Sequence, residues 1–261
     1  MRTRKTFQEH CEFVEELSRL SFFFAFRLQV RLPELSLEEI IRRHTPFFHH
    51  ALDLESRAQI PQFQVLNASC AEEFEEKMWH QIRPLALDRA ARFYRSSIGM
   101  AVPENYNAGS LKYDPPREGL PANYCNFHIA NAVAPKSIFD DPDYLAECLL
   151  ELIRKSSAEY GFDTLRTSTW LNDRDRFLAY FPQEWSDNRV LQPYYEDQPD
   201  IPGWTLGNWG QLITARGTFN KKMGEYVREH LAMRYKTYIS SCPFAKIKKH
   251  LEEKRYVKES S

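Results

Sequence analysis

The residue best suited to acid-base chemistry in this chain stands near the end of its most regular stretch. In Tyr124-Cys-Asn-Phe-His-Ile-Ala-Asn-Ala-Val-Ala134 strand-like alternation puts His128 on a face with Ala130, Ala132 and Ala134, while Phe127, Ile129, Asn131 and Val133 share the other. Small neighbours leave room for a ligand beside an imidazole, the side chain most easily poised for proton transfer near neutral pH. The plainer alternative is a core histidine bonded to backbone. Asn131, and Asn172 at the end of a second strand-like run, are placed either to orient a substrate or to cap turns. A second concentration of chemistry runs from Trp204 to Arg216. There Trp204 and Trp209 offer flat apolar walls, Gln211 a two-sided amide, and Arg216 a fork that fits carboxylate or phosphate. A packing segment with a surface arginine is the competing interpretation.

Together these residues point to an enzyme of a biosynthetic type that processes a small, anionic molecule. His128 and Arg216 are its expected catalytic pair, the first as general acid or base and the second holding the anion. Asn131, Trp170, Asn172, Trp204, Trp209 and Gln211 are its expected substrate contacts, in a Trp-lined pocket at the C-terminal edge of the strands. This chemistry requires no metal or other cofactor. One rival is a metal-dependent oxygenase, because Glu76-Lys-Met-Trp-His80 puts a carboxylate and an imidazole on one helix face, a spacing that iron sites in helical bundles use. A solvated helix face explains the same pair. A non-enzymatic binding or assembly module is the other rival. The sequence contains no H-E-x-x-H, G-x-S-x-G, Walker A or G-x-G-x-x-G motif. Cys125 and His128 fall on opposite faces of their strand, which disfavours a local cysteine hydrolase.

Lys plus Arg (35) nearly balance Asp plus Glu (36), so no overall field recruits nucleic acid or an anionic membrane. Five cysteines without a C-x-x-C pair fit reduced thiols in the cytoplasm better than a disulfide framework. The apolar patch from Leu20 to Phe26 is broken by Arg27 and is too short to span a bilayer. The expectation is a soluble cytoplasmic protein of unspecified oligomeric state.

The elements that must position these residues follow from periodicity. Phe13, Leu17, Leu20, Phe24 and Leu28 recur at helical spacing from Thr6 to about Val30. Ser36-Leu-Glu-Glu39 reads as a capping box for a second helix to about His49, and Ser69-Cys-Ala-Glu72 as one for a third, which contains Pro84. Loops occupy 99–121, with a short strand around Ser110 to Tyr113. After the strand at 124–134, Asp141 and Pro142 open a helix that Gly161 closes, Asp163 to Leu171 is a second strand, and a short helix runs to Phe181. The two strands are expected to be parallel, since the connection is long enough for a crossover. Helices over about 219–231 and 243–253 end the chain. The fold class is α/β or α+β, with a helical N-terminal part over 1–98 and an α/β part with C-terminal helices over 99–261, expected to integrate into one domain.

This strand-helix-strand-helix order, with its irregular strand end at Ala134-Pro135, resembles the central part of the GCN5-related N-acetyltransferases over about residues 124 to 181. The resemblance implies acyl transfer from acyl-CoA. In that family a glycine-rich run opens the helix and holds the pyrophosphate, where this chain reads Pro-Lys-Ser-Ile-Phe-Asp-Asp-Pro. Asp140 and Asp141 would oppose a diphosphate there.

Overall fold

The computed structural model describes residues 5–47, 68–97, 106–192 and 209–259. The chain forms two units, one of residues 1–99 and 194–234 and one of 100–193 and 235–261.

The first unit is helical. Thr6 caps α1 (Phe7–Arg31) through a reciprocal bond with Glu9, and the expected stripe of Phe13, Leu17, Leu20, Phe24 and Leu28 is buried. It packs against α2 (Leu37–His44), capped by Ser36, and along α3 (Ala71–Ser97). Phe22 stands edge-on to Phe74 at 6.4 Å and meets Phe47 at 4.8 Å. Helix α3 continues through Pro84, and at its start Ser69 bonds Glu73, one residue beyond the Glu72 of the expected box. Near the end of this unit, α7 (Lys221–His230) lies against α1. One carboxylate ties these helices: Glu75 on α3 takes Arg19 of α1 at 2.9 Å and Arg228 of α7 at 2.7 Å.

The second unit is a mixed sheet backed by helices. Among the described residues its strands are β1 (Leu111–Tyr113), β2 (Tyr124–Ile129), β3 (Thr164–Thr169), β4 (Val190–Leu191) and β5 (Tyr238–Pro243), in the order β1-β2-β3-β5-β4. Strands β2 and β3 are the expected parallel pair, joined through α4 (Pro142–Tyr160), and the remaining neighbours are antiparallel. Asp141 and Pro142 start α4, and Gly161 ends it at φ 70°, a left-handed conformation that glycine adopts without steric cost. One face of the sheet, with Leu111, Cys125, Phe127, Leu165 and Cys242, is buried with Leu145, Leu149 and Leu152 of α4 and with Ile247 and Leu251 of α8 (Phe244–Glu259). Between β3 and β4 run a 3-10 turn (Trp170–Asp173), α5 (Asp175–Leu178) and α6 (Gln183–Asp187). Trp185 of α6 is fully buried and stacks on Phe181 at 4.1 Å. The chain is therefore α/β in class.

Three departures from the sequence reading bear on the site. Strand β2 ends at Ile129, because Asn131 opens a turn by accepting from Val133 N and donating to Lys136 O. Ala130, Ala132 and Ala134 consequently do not extend the His128 face. Strand β3 stops at Thr169, where the Thr169 hydroxyl caps the 3-10 turn. Residues 238–243, which lie between the two expected C-terminal helices and overlap the second only at Pro243, form β5, which pairs with β3 along its whole length. No helix among the described residues is long and apolar enough to cross a membrane.

Candidate functional site

Alternation along β2 and β3 gives the sheet a second face, carrying Tyr124, Asn126 and His128 on one strand and Thr164, Arg166 and Ser168 on the other. The two strands stay in register only from Tyr124↔Thr164 to Asn126↔Arg166. Beyond that point β2 pairs with β1 and β3 with β5. Ligands in open α/β sheets bind outside the carboxyl ends of such strands.

Asp114, one residue past β1, is the centre of this face. Its backbone N–H donates to Asn126 O at 3.0 Å, which aims the side chain back over β2. Its carboxylate lies 2.9 and 2.8 Å from His128 Nε2 through its two oxygens, accepts from Asn126 Nδ2 at 2.8 Å, and is 3.5 Å from Arg117. Burial alone would raise the Asp114 pKa, but hydrogen bonds from Asn126 and His128 and the charges of His128 and Arg117 hold it below the ordinary carboxylate value. With an ionised carboxylate on Nε2, that nitrogen carries the proton, and Nδ1 of the neutral ring presents a lone pair. Nδ1 makes no hydrogen bond to the described residues. The His128 side chain is 42% exposed, so solutes reach it.

Positive charge surrounds this dyad. Lys112 stands opposite His128 in the β1 register, with its ammonium 5.5 Å from the Tyr106 ring. Arg166 donates through Nη1 to Asn126 Oδ1 at 2.8 Å. Burial, and then the charges of Asp114, push the Tyr106 hydroxyl pKa up. The side chains can hold an oxyanion beside a nitrogen able to take a proton.

The residues expected from sequence divide between the units. In the second unit, His128 is on the polar face as described. Asn131 is engaged in its turn. Trp170 is half-buried and stacks on Tyr235 at 6.0 Å. Asn172 is fully buried, and its amide is consumed by Trp185 Nε1 at 3.0 Å, Tyr238 O at 2.8 Å and Thr167 O at 3.3 Å, so it serves the fold. In the first unit, Gln211 is buried, Trp209 is half-buried, and Arg216 has its guanidinium on Glu9 at 2.6 Å. Trp204 lies outside the described residues. Of the pair considered for metal, Glu76 is on Arg19 at 2.6 Å and His80 is exposed. No three His, Cys, Asp or Glu side chains converge among the described residues. A groove in the first unit, lined in part by Glu16, Phe219, Lys221 and Arg228, encloses about 130 Å³, well under the several hundred of a small-molecule pocket.

Asp114, Asn126 and Arg166 are the functional candidates that sequence reasoning passed over. The available signal was the polar set at alternate positions, Tyr124, Asn126, His128 on one strand and Arg166 on the next. The register that joins them is not local. Comparison with protein-family models, with curated proteins and with solved structures finds no match to this chain.

Proposed function

We propose that this protein is an enzyme that moves a proton on a small, anionic molecule, with His128 as the acid-base group and Asp114 as the residue that positions it. The observation that carries this reading is the contact of both Asp114 oxygens with His128 Nε2, which fixes the ring and leaves Nδ1 without a partner among the described residues. A base oriented by a carboxylate on its far nitrogen is the arrangement that general-base catalysis uses on unrelated folds. A positive surround raises the local concentration of anionic substrate and stabilises negative charge that develops as a proton leaves. The free cysteines fit the reducing cytoplasm in which we place it.

The test is to incubate the protein with a mixture of small-molecule metabolites and follow the mixture by mass spectrometry, beside His128→Asn and Asp114→Asn. The expectation is at least one substrate-product pair that changes with the native protein, is lost in His128→Asn, and is slowed at least a hundredfold in Asp114→Asn, within the range that general acid-base groups contribute. A mixture that His128→Asn converts as fast as the native protein would overturn the assignment.

A second reading, acyl transfer, is favoured by the parting of β2 and β3 beyond Asn126 and Arg166, at the sheet edge where the likeness to acetyltransferases lies. Against it, the Asp141 carboxylate accepts from Asp143 N and so occupies the first turn of α4, where a diphosphate would need those donors. Calorimetric titration with acetyl-CoA decides between the two: saturable heat supports acyl transfer, and its absence leaves the acid-base reading.

A further inference from the structure

We infer that Arg166 is the anion-recognition residue of this sheet face and that the molecule handled there carries a carboxylate or phosphate group. The anion site stands on its own observations. Only the identification of its occupant as a substrate rests on the acid-base reading of His128.

Arg166 is half-buried, and its one hydrogen bond among the described residues is from Nη1 to the neutral Asn126 amide. Nε and Nη2, the two donors that grip a carboxylate side-on, have no partner among the described residues. Three other half-buried arginines are matched by carboxylates, Arg19 and Arg228 by Glu75 and Arg189 by Asp173, while Arg174 lies over the Tyr235 ring at 4.3 Å. No carboxylate meets Arg166 within 4.0 Å among the described residues. Burial, and then the charge of Arg117, both work against the Arg166 cation. Asp114 is shared among His128, Asn126 and Arg117, so it does not neutralise Arg166 directly. A partly desolvated guanidinium without a counter-charge is costly unless an oxyanion completes it.

Position adds the second half of the argument. Arg166 occupies the last paired register between β2 and β3, opposite Asn126, with His128 two residues further along the same face. The sheet diagonal from Arg166 to His128 is about 8 Å between backbone positions. An acid of a few carbons, held by its charged group on Arg166, brings its remaining atoms toward His128 Nδ1. Asn126 couples the two ends, because its amide donates to Asp114 and accepts from Arg166.

The experiment is titration of the ¹⁵N-labelled full chain with acetate and, separately, with inorganic phosphate, with acetamide as the uncharged control. The Arg166 Nε–H signal and neighbouring amides are read in the native protein and in Arg166→Gln, Arg166→Lys and His128→Asn. The expected result is saturable binding of at least one anion and none of acetamide, at least tenfold weaker in Arg166→Gln and several-fold weaker in Arg166→Lys, which keeps the charge but loses the fork. Should Arg166→Gln fail to fold, the Arg166→Lys comparison decides. Tighter acetate assigns a carboxylate, and tighter phosphate a phosphoryl group. Absence of saturable binding, or equal binding in Arg166→Gln or Arg166→Lys, overturns the inference. Binding retained in His128→Asn while metabolite conversion is also unchanged would remove the acid-base reading and leave the anion site standing.

Discussion

Replacing Asn172 by Ala would separate a structural amide from a substrate-binding one. The side chain is fully buried and joins three elements: it accepts from Trp185 of α6 and donates to Tyr238 O of β5 and Thr167 O of β3. Truncation strands the Trp185 N–H in the core, which costs on the order of 2 kcal/mol by desolvation. The two lost donations add about 1 kcal/mol together, since the bond to Thr167 O is long at 3.3 Å. The expected loss is about 3 kcal/mol, or roughly 10 °C in melting temperature for a chain of this size. Urea unfolding read by near-ultraviolet circular dichroism measures it, and exchange of the Trp185 indole proton localises it. A cycle with Trp185→Phe should return a coupling of about 1 to 2 kcal/mol, because the partner N–H is then absent. A loss below about 1 kcal/mol, or additivity within about 0.5 kcal/mol, would refute the reasoning and return Asn172 to the substrate contacts.

Two further outcomes concern the helical unit. Glu75→Ala leaves Arg19 and Arg228 without their shared carboxylate, which is only 6% exposed; the expected cost is about 2 to 3 kcal/mol in urea unfolding, below the range for fully buried pairs because both guanidiniums are partly solvated. A midpoint within error of the native one would mean that the clamp contributes nothing. His10 is buried between Phe93 and Tyr94 with neither ring nitrogen hydrogen-bonded. Burial, followed by the Lys5 and Arg89 charges, pushes its pKa down to about 4. Between about pH 4 and the ordinary value near 6.5 the unfolded chain binds more protons, so stability should climb with pH across that window and level off above it. His10→Phe should remove this contribution to the slope and stabilise the protein by about 1 kcal/mol at neutral pH. An unchanged slope of stability against pH in the variant would count against the assignment.

The helices and the parallel pair were legible because their signals are local. Thr6, Ser36, Asp141 and Gly161 mark ends by their own backbone chemistry, and the α1 stripe repeats within its own turns. Strand β5 was not legible. Tyr-Ile-Ser-Ser-Cys-Pro carries no strong alternation, and it is a strand because β3 and β4 flank it. The site divides the same way. His128 is visible from its residue type, whereas Asp114 arrives through the β1-β2 register and Arg166 through the β2-β3 register. A histidine and an aspartate 14 residues apart give no periodic sign that they will meet.

The placement of residues 194–234 has a consequence for synthesis. This segment belongs to the helical unit, yet in the chain it lies between β4 and β5, and β5 sits between β3 and β4 in the sheet. A nascent chain emerging from the ribosome can assemble β1, β2 and β3, but β4, whose one partner among the described residues is β5, waits until Tyr238–Pro243 has followed. The helical unit has all of its residues by Arg234. Vectorial folding therefore completes the helical unit before the sheet, and expression of the sheet unit alone requires 100–193 to be spliced to 235–261 rather than a simple truncation.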